Sequence, residues 1–172
     1  HMKYILIVLN LSISVTLQEA YDNAGPNEEY EKYIILEPHQ TYTGGLGIYE
    51  GDIYINCQGS IVDLENQNGI WIYADETYLS SLEIEYCNVI NGAYYGLSFS
   101  GTAIGKISNC NFYNNEFGVK AGDSSNIDIE NTNFISNEIY GLGIITEVPI
   151  ITISYSNSWN NGNGDYWENC PG

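Results

Sequence analysis

Apolar and polar residues alternate in short runs that recur along the chain. Ile84-Glu85-Tyr86-Cys87-Asn88-Val89-Ile90-Asn91 aligns with Ile107-Ser108-Asn109-Cys110-Asn111-Phe112-Tyr113-Asn114, then with the runs that begin at Ile129 and Ile153, at intervals of 23, 22 and 24 residues. Period two is the signature of a half-buried strand, and Ile, Val, Phe and Tyr suit a pleated surface. A second series begins with a glycine before an apolar run: Gly47-Ile48, Gly69-Ile70, Gly96-Leu97, Gly118-Val119 and Gly141-Leu142, at intervals of 22, 27, 22 and 23. A unit this short cannot bury its own apolar face, so the turns must stack on one another.

Alternation assigns the faces. In the first strand of each turn Ile48, Ile70, Ile72, Leu97, Phe99, Val119, Ala121, Leu142 and Ile144 point inward, while Tyr49, Trp71, Ser98, Lys120 and Gly143 form an outward column. In the second strand Ile53, Ile55, Leu82, Ile84, Ile107, Ile127, Ile129, Ile151 and Ile153 point inward. Their outward neighbours form two columns, Tyr54-Glu83-Lys106-Asp128-Thr152 and Asn56-Glu85-Ser108-Glu130-Ser154. Members of a column lie about 4.8 Å apart, the spacing of paired strands.

Before the repeats, Thr16-Leu17-Gln18-Glu19 reads as a capping box, and Leu17, Ala20, Tyr21 and Ala24 share one face of a short helix ended by Gly25-Pro26. Such a helix would cover the open end of the stack. His1-Met2 reads as a cloning remnant, and Lys3 to Val15 as a buried first strand, because Asn10 and Ser12 interrupt the apolar run and no small-x-small cleavage site follows. The expected layout of residues 3–172 is one all-β domain: a strand and capping helix in 3–40, about five to six stacked rungs in 41–161, and a tail in 162–172. No apolar run approaches the roughly 20 residues of a membrane span.

The capping helix, the Pro-containing turn at 37–39, Gly-Leu-Gly-Ile (45–48), Ile-Tyr-Ile-Asn-Cys-Gln-Gly (53–59) and the copies of Ile-x-x-Cys/Thr-x-Phe together resemble the right-handed parallel β-helix proteins of the pectin-lyase-like superfamily. The resemblance covers about residues 16–172 and rests on core and turn chemistry. It implies a secreted or cell-surface location and leaves activity open, because that superfamily holds polysaccharide lyases, glycoside hydrolases, tailspikes and proteins of unassigned role.

Charge narrows the partners. Four Lys and no Arg against 22 Asp plus Glu give a net charge of −18, which repels nucleic-acid phosphates and anionic membranes. An acidic polysaccharide would need calcium as a bridge. Glu83, Glu85, Asp128 and Glu130 surround Lys106 across three rungs. The resemblance to lyases would make these carboxylates a calcium site and Lys106 the base that removes the proton α to a uronate carboxylate. The alternative is an ion-pair rung that relieves repulsion between stacked charges. The family's lyases support their base with Arg, and this chain has none; the polygalacturonase pattern of paired aspartates and Gly-His-Gly is also missing.

Aromatic residues offer a different site. Tyr49, Trp71 and Tyr73, with Tyr54 around the corner and Tyr94 and Tyr95 in the next turn, present flat faces with polar edges that suit sugar rings. They would equally cover bare sheet. Recurrent Asn88, Asn111, Asn133 and Asn157, with Asn115, Asn137 and Asn161, read as ladders that bond to one another and to turn backbone. Cys57, Cys87 and Cys110 are expected to be buried thiols, because in-register parallel side chains hold Cβ atoms further apart than a disulfide needs; Cys170 stands alone. With no Cys-x-x-Cys, no phosphate-binding glycine loop and His39 as the one histidine outside the remnant, no metal site of these residues, nucleotide site or Ser/His/Asp triad can be assembled.

Three readings follow: a non-catalytic module that binds glycans or neighbouring modules, a polysaccharide lyase or hydrolase fragment, and a structural spacer or self-assembling rod. The rung that contains Ile153 has no following helix to cap it. End-to-end association or a continuation in a longer protein is expected there, with Tyr166 and Trp167 as a partial lid.

Overall fold

The computed structural model of the chain describes residues 15–146, 148–167 and 170. Three parallel sheets run the length of the molecule, and each turn of chain contributes one strand to each sheet. Sheet A stacks Val15–Thr16, Thr41–Thr43, Ile61–Asp63, Asn88–Ile90, Asn111–Tyr113, Asn133–Ile135 and Asn157–Trp159. Sheet B stacks Lys32–Ile35, Gly51–Asn56, Ser80–Glu85, Ile104–Ser108, Asn126–Glu130 and Ile150–Ser154. Sheet C stacks Leu46–Ile48, Ile70–Ala74, Leu97–Gly101, Phe117–Ala121, Tyr140–Ile144 and Gly164–Tyr166. Seven strands in sheet A exceed the five or six rungs expected from the repeats. The extra strands lie at the ends, where the repeat signature fades: Val15–Thr16 before the helix, and Gly164–Tyr166 within the segment expected to be tail. The first strand expected from Lys3 falls outside the described residues except for Val15.

The inward residues form one continuous core. Ile84, Ile107 and Ile129 are fully buried on successive strands of sheet B, as are Phe112 and Phe134 on sheet A. The two phenyl rings stack with centroids 5.8 Å apart and planes at 14°. Register along sheet B reproduces the expected outward columns: Tyr54 faces Glu83, Glu83 faces Lys106, Lys106 faces Asp128, and Asp128 faces Thr152.

Sheet C corrects the phase of the first repeat. Gly47, not Tyr49, pairs with Trp71, and Leu46 pairs with Ile70. Gly45 is therefore the counterpart of Gly69, and Tyr49 lies beyond the strand. The Gly-x-Gly sequence offers two possible phases, and the inward pair Leu46/Ile48 selects the earlier one.

Corners between sheets explain the asparagines. Asn109 and Asn131 turn the chain from sheet B to sheet A, and Asn91, Asn114 and Asn160 follow sheet A; all have φ between 54° and 61° except Asn131 at 48°. Asn tolerates this left-handed conformation better than most residues. Their side chains then bond rung to rung, Asn114 to Asn91 at 2.8 Å and Asn131 to Asn109 at 2.5 Å. Buried Asn115 accepts from the Gly92 N–H and donates to the Val89 carbonyl and to Asn137, which repeats the pattern toward Asn161. These ladders satisfy polar groups that burial would otherwise leave unpaired.

The cysteines depart from expectation. Cys57 and Cys87 form a disulfide with Cα atoms 4.9 Å apart. Their sequence separation is 30, whereas the strands preceding them pair Asn56 with Glu85, a shift of 29. One extra residue therefore takes Cys87 out of direct register with Cys57, and the geometric objection to in-register bridges does not apply to this pair. It does hold for Cys87 and Cys110, which share the register of Asn88 and Asn111; Cys110 stays a buried thiol.

The two ends differ. Helix Leu17–Asn23 begins with the expected reciprocal cap between Thr16 and Glu19 and buries Leu17, with Ala20, Tyr21 and Ala24 packed on the core. At the other end Ile151 and Ile153 are only partly buried, and Tyr155, Trp159 and Ile150 are exposed. Among the described residues no helix is long and apolar enough to cross a membrane.

Candidate functional site

The outward face of sheet C gathers the aromatic candidates. In its central column Gly47, Trp71, Ser98, Lys120 and Gly143 lie in register. The indole of Trp71 leans one rung back over Gly47, where an added Cβ would stand 2.7 Å from Cζ2 and 3.2 Å from Nε1. Tyr49 meets the indole edge-on, with centroids 4.4 Å apart and planes at 87°. At Gly69 an added Cβ would lie 2.1 Å from the Tyr95 carbonyl oxygen and 2.5 Å from Tyr95 Cδ2, so the backbone of the next rung approaches there as well as a ring. Burial, assisted by neighbouring Tyr49, pushes the Tyr95 phenol pKa up. Glycine at 47 thus makes room for the Trp71 indole, and glycine at 69 for the close backbone and ring of Tyr95.

Beside these rings lies an open depression of about 440 Å³ lined by Gly45, Leu46, Gly47, Gln67, Asn68, Gly69 and Trp71. The Gly45 N–H donates to Gln67 Oε1 at 3.2 Å, which fixes the amide. Gln67 and Asn68 were not singled out from sequence; they belong to an irregular turn, and only the backbone path brings them beside the indole. Of the other aromatic candidates, Tyr73 is exposed and leans toward Gly101, and Tyr94 is exposed in the turn. Like Tyr95, neither makes a ring contact with the Tyr49–Trp71 pair among the described residues.

Tyr54 is separated from this group. It lies on sheet B, stacked on Tyr33 at 4.8 Å and 9°, with Tyr30 5.2 Å away. Its hydroxyl donates to Glu85 through a very short bond, and burial together with that carboxylate pushes the phenol up to about 12. Tyr33, not among the candidates read from sequence, belongs to this cluster and heads the same outward column as Tyr54.

The acidic face around Lys106 carries an ion pair between Lys106 and Glu83 and several hydrogen bonds to its carboxylates. Lys106 Nζ donates to Glu83 Oε1 at 2.5 Å, and the Tyr30 hydroxyl donates to Glu83 Oε2 at 2.7 Å. Asn56 donates to Glu85 at 2.7 Å, and Thr152 donates to Asp128 at 2.5 Å. Burial opposes ionisation of Glu83, but the bonds from Lys106 and Tyr30 outweigh it, and its pKa is lowered. The Glu83 bond raises the Lys106 pKa, which holds the ammonium protonated and makes it a poor base. The strand carrying Lys106 separates Glu83 and Glu85 from Asp128 and Glu130. Among the described residues no three His, Cys, Asp or Glu side chains come close enough to hold a metal ion. Lys106 and Glu83 thus form the ion-pair rung that was one of the two expectations for this face.

Comparison with known proteins finds no significant match among curated proteins and none among solved structures. Residues 41–171 match the family described as right handed beta helix region. That match spans most of the chain and agrees with the three stacked parallel sheets, and the protein belongs to the right-handed β-helix family.

Proposed function

We propose that this chain is a secreted or cell-surface β-helix module that binds glycans without transforming them, through the sheet C surface around Trp71. The observation that carries this reading is the Trp71 indole lining an open depression, with Tyr49 against its ring and Tyr95 over the neighbouring Gly69. Aromatic rings with polar edges suit the apolar faces and hydroxyls of sugars. A location outside the reducing cytosol is supported by the Cys57–Cys87 disulfide. The non-catalytic part is supported by Lys106, a cation held in an ion pair where a lyase would need a neutral base.

Packing against neighbouring modules is a second reading, favoured by the exposure of Ile150, Tyr155 and Trp159 at the end opposite the helix. A glycan array probed with and without calcium tests the first. Retention of defined glycans with no release of unsaturated uronate or reducing sugar supports it. A blank array, or release of either product, removes it. Light scattering over a concentration series tests the second, which a strict monomer contradicts.

A further inference from the structure

The ligand class can be narrowed from the lining of the depression, an inference that rests on the glycan-binding reading. The chain carries a net charge of −18, yet no residue lining this depression is charged. Its polar groups are two amides and an indole N–H. Gln67 has its oxygen engaged by the Gly45 N–H, so its NH₂ is the part left to donate. Asn68 is exposed and its amide has no hydrogen-bond partner among the described residues, nor has the Trp71 N–H. The depression thus presents three donor groups and one free amide oxygen beside an apolar ring, with no cation within its lining.

A uronate carboxylate placed there would meet no positive charge in the lining and would bring its own charge to a strongly acidic protein. A sugar hydroxyl both donates and accepts, and matches an amide at either end. We propose that the Trp71 depression is a subsite for an uncharged hexose, whose apolar face packs on the indole while its hydroxyls bond to Gln67 and Asn68. The glycines at 45 and 47 are part of the device. Both line it, and a Cβ at Gly45 would come within 2.6 Å of the Gly69 carbonyl oxygen.

Calorimetric titration with a matched pair of ligands tests the assignment: a short galactose oligomer and the same oligomer with every C6 oxidised to carboxylate. The neutral oligomer is expected to bind at least tenfold more tightly. Gln67→Glu keeps the acceptor for the Gly45 N–H but removes the NH₂ donor, and Asn68→Ala removes both functions. Each should weaken the neutral ligand roughly threefold to tenfold, the range of a lost hydrogen bond, with unchanged melting. Asn68→Lys should shift preference toward the oxidised oligomer. Tighter binding of the uronate by the unaltered protein overturns the assignment and leaves the glycan reading standing. Neutral binding indifferent to Gln67→Glu and Asn68→Ala also overturns it, because the hexose then sits elsewhere. Failure of both oligomers together with a blank array overturns both readings.

Discussion

The indole of Trp71 occupies the space that a side chain at Gly47 would fill, with Cζ2 2.7 Å from where that Cβ would be. A contact this close cannot be absorbed without movement, and the ring, as the free end of a side chain, is what moves. Gly47→Ala should therefore leave the strands intact, with a stability change within about 1 kcal/mol. It should nevertheless alter the near-ultraviolet circular dichroism of the Tyr49–Trp71 pair and weaken glycan binding. An unchanged near-ultraviolet spectrum would show that the indole does not rest on this glycine.

Phe112 and Phe134 test the core. Both are fully buried and stacked on each other, so truncating either to Ala leaves a cavity as well as losing transfer energy. Each variant should lose about 3 to 5 kcal/mol in denaturant unfolding. Because the rings touch, the two losses should not add in the double variant.

The disulfide closes a loop of separation 30, for which loss of unfolded-chain entropy predicts about 3 to 4 kcal/mol. Cys57→Ala with Cys87→Ala should cost about that much. In the native protein Cys110 should resist thiol reagents, since burial first of all pushes its pKa up to about 12. Denaturation without reductant should expose two thiols, those of Cys110 and Cys170.

Acid should act in part through Glu83. Its pKa is lowered in the folded protein, so its contribution is present above the ordinary glutamate value of 4.5 and is lost as pH falls through the lowered value. The stability gap between the unaltered protein and Glu83→Gln should be largest above that range and shrink below it. A gap that is constant down to strong acid would mean that the Lys106 and Tyr30 bonds do not discriminate the ionised form. The energy at stake is small, because the pair is partly solvated.

Much of this architecture is legible in the sequence because inward and outward positions alternate strictly. The column from Tyr54 through Glu83, Lys106 and Asp128 to Thr152 follows from aligning isoleucines alone. What escaped depends on turn length. The misphasing of Gly47 comes from a Gly-x-Gly that fits either register. The Cys57–Cys87 bridge depends on one residue inserted at a corner, where no apolar periodicity marks the count. Gln67 and Asn68 belong to a similar irregular turn. Their approach to Trp71 is set by backbone geometry, and residue types there carry no periodic signal.

Glycan binding at Trp71 is tested most directly by the affinity of the glycan best retained on the array, measured by calorimetry for the unaltered protein and for Trp71→Ala. Trp71 is half-buried on the outside of sheet C, so the variant should keep its fold, which thermal melting would verify. A central aromatic anchor at a binding surface is typically worth more than 1 kcal/mol, so a loss of about tenfold or more in affinity is expected. Equal affinity in a folded Trp71→Ala would contradict it.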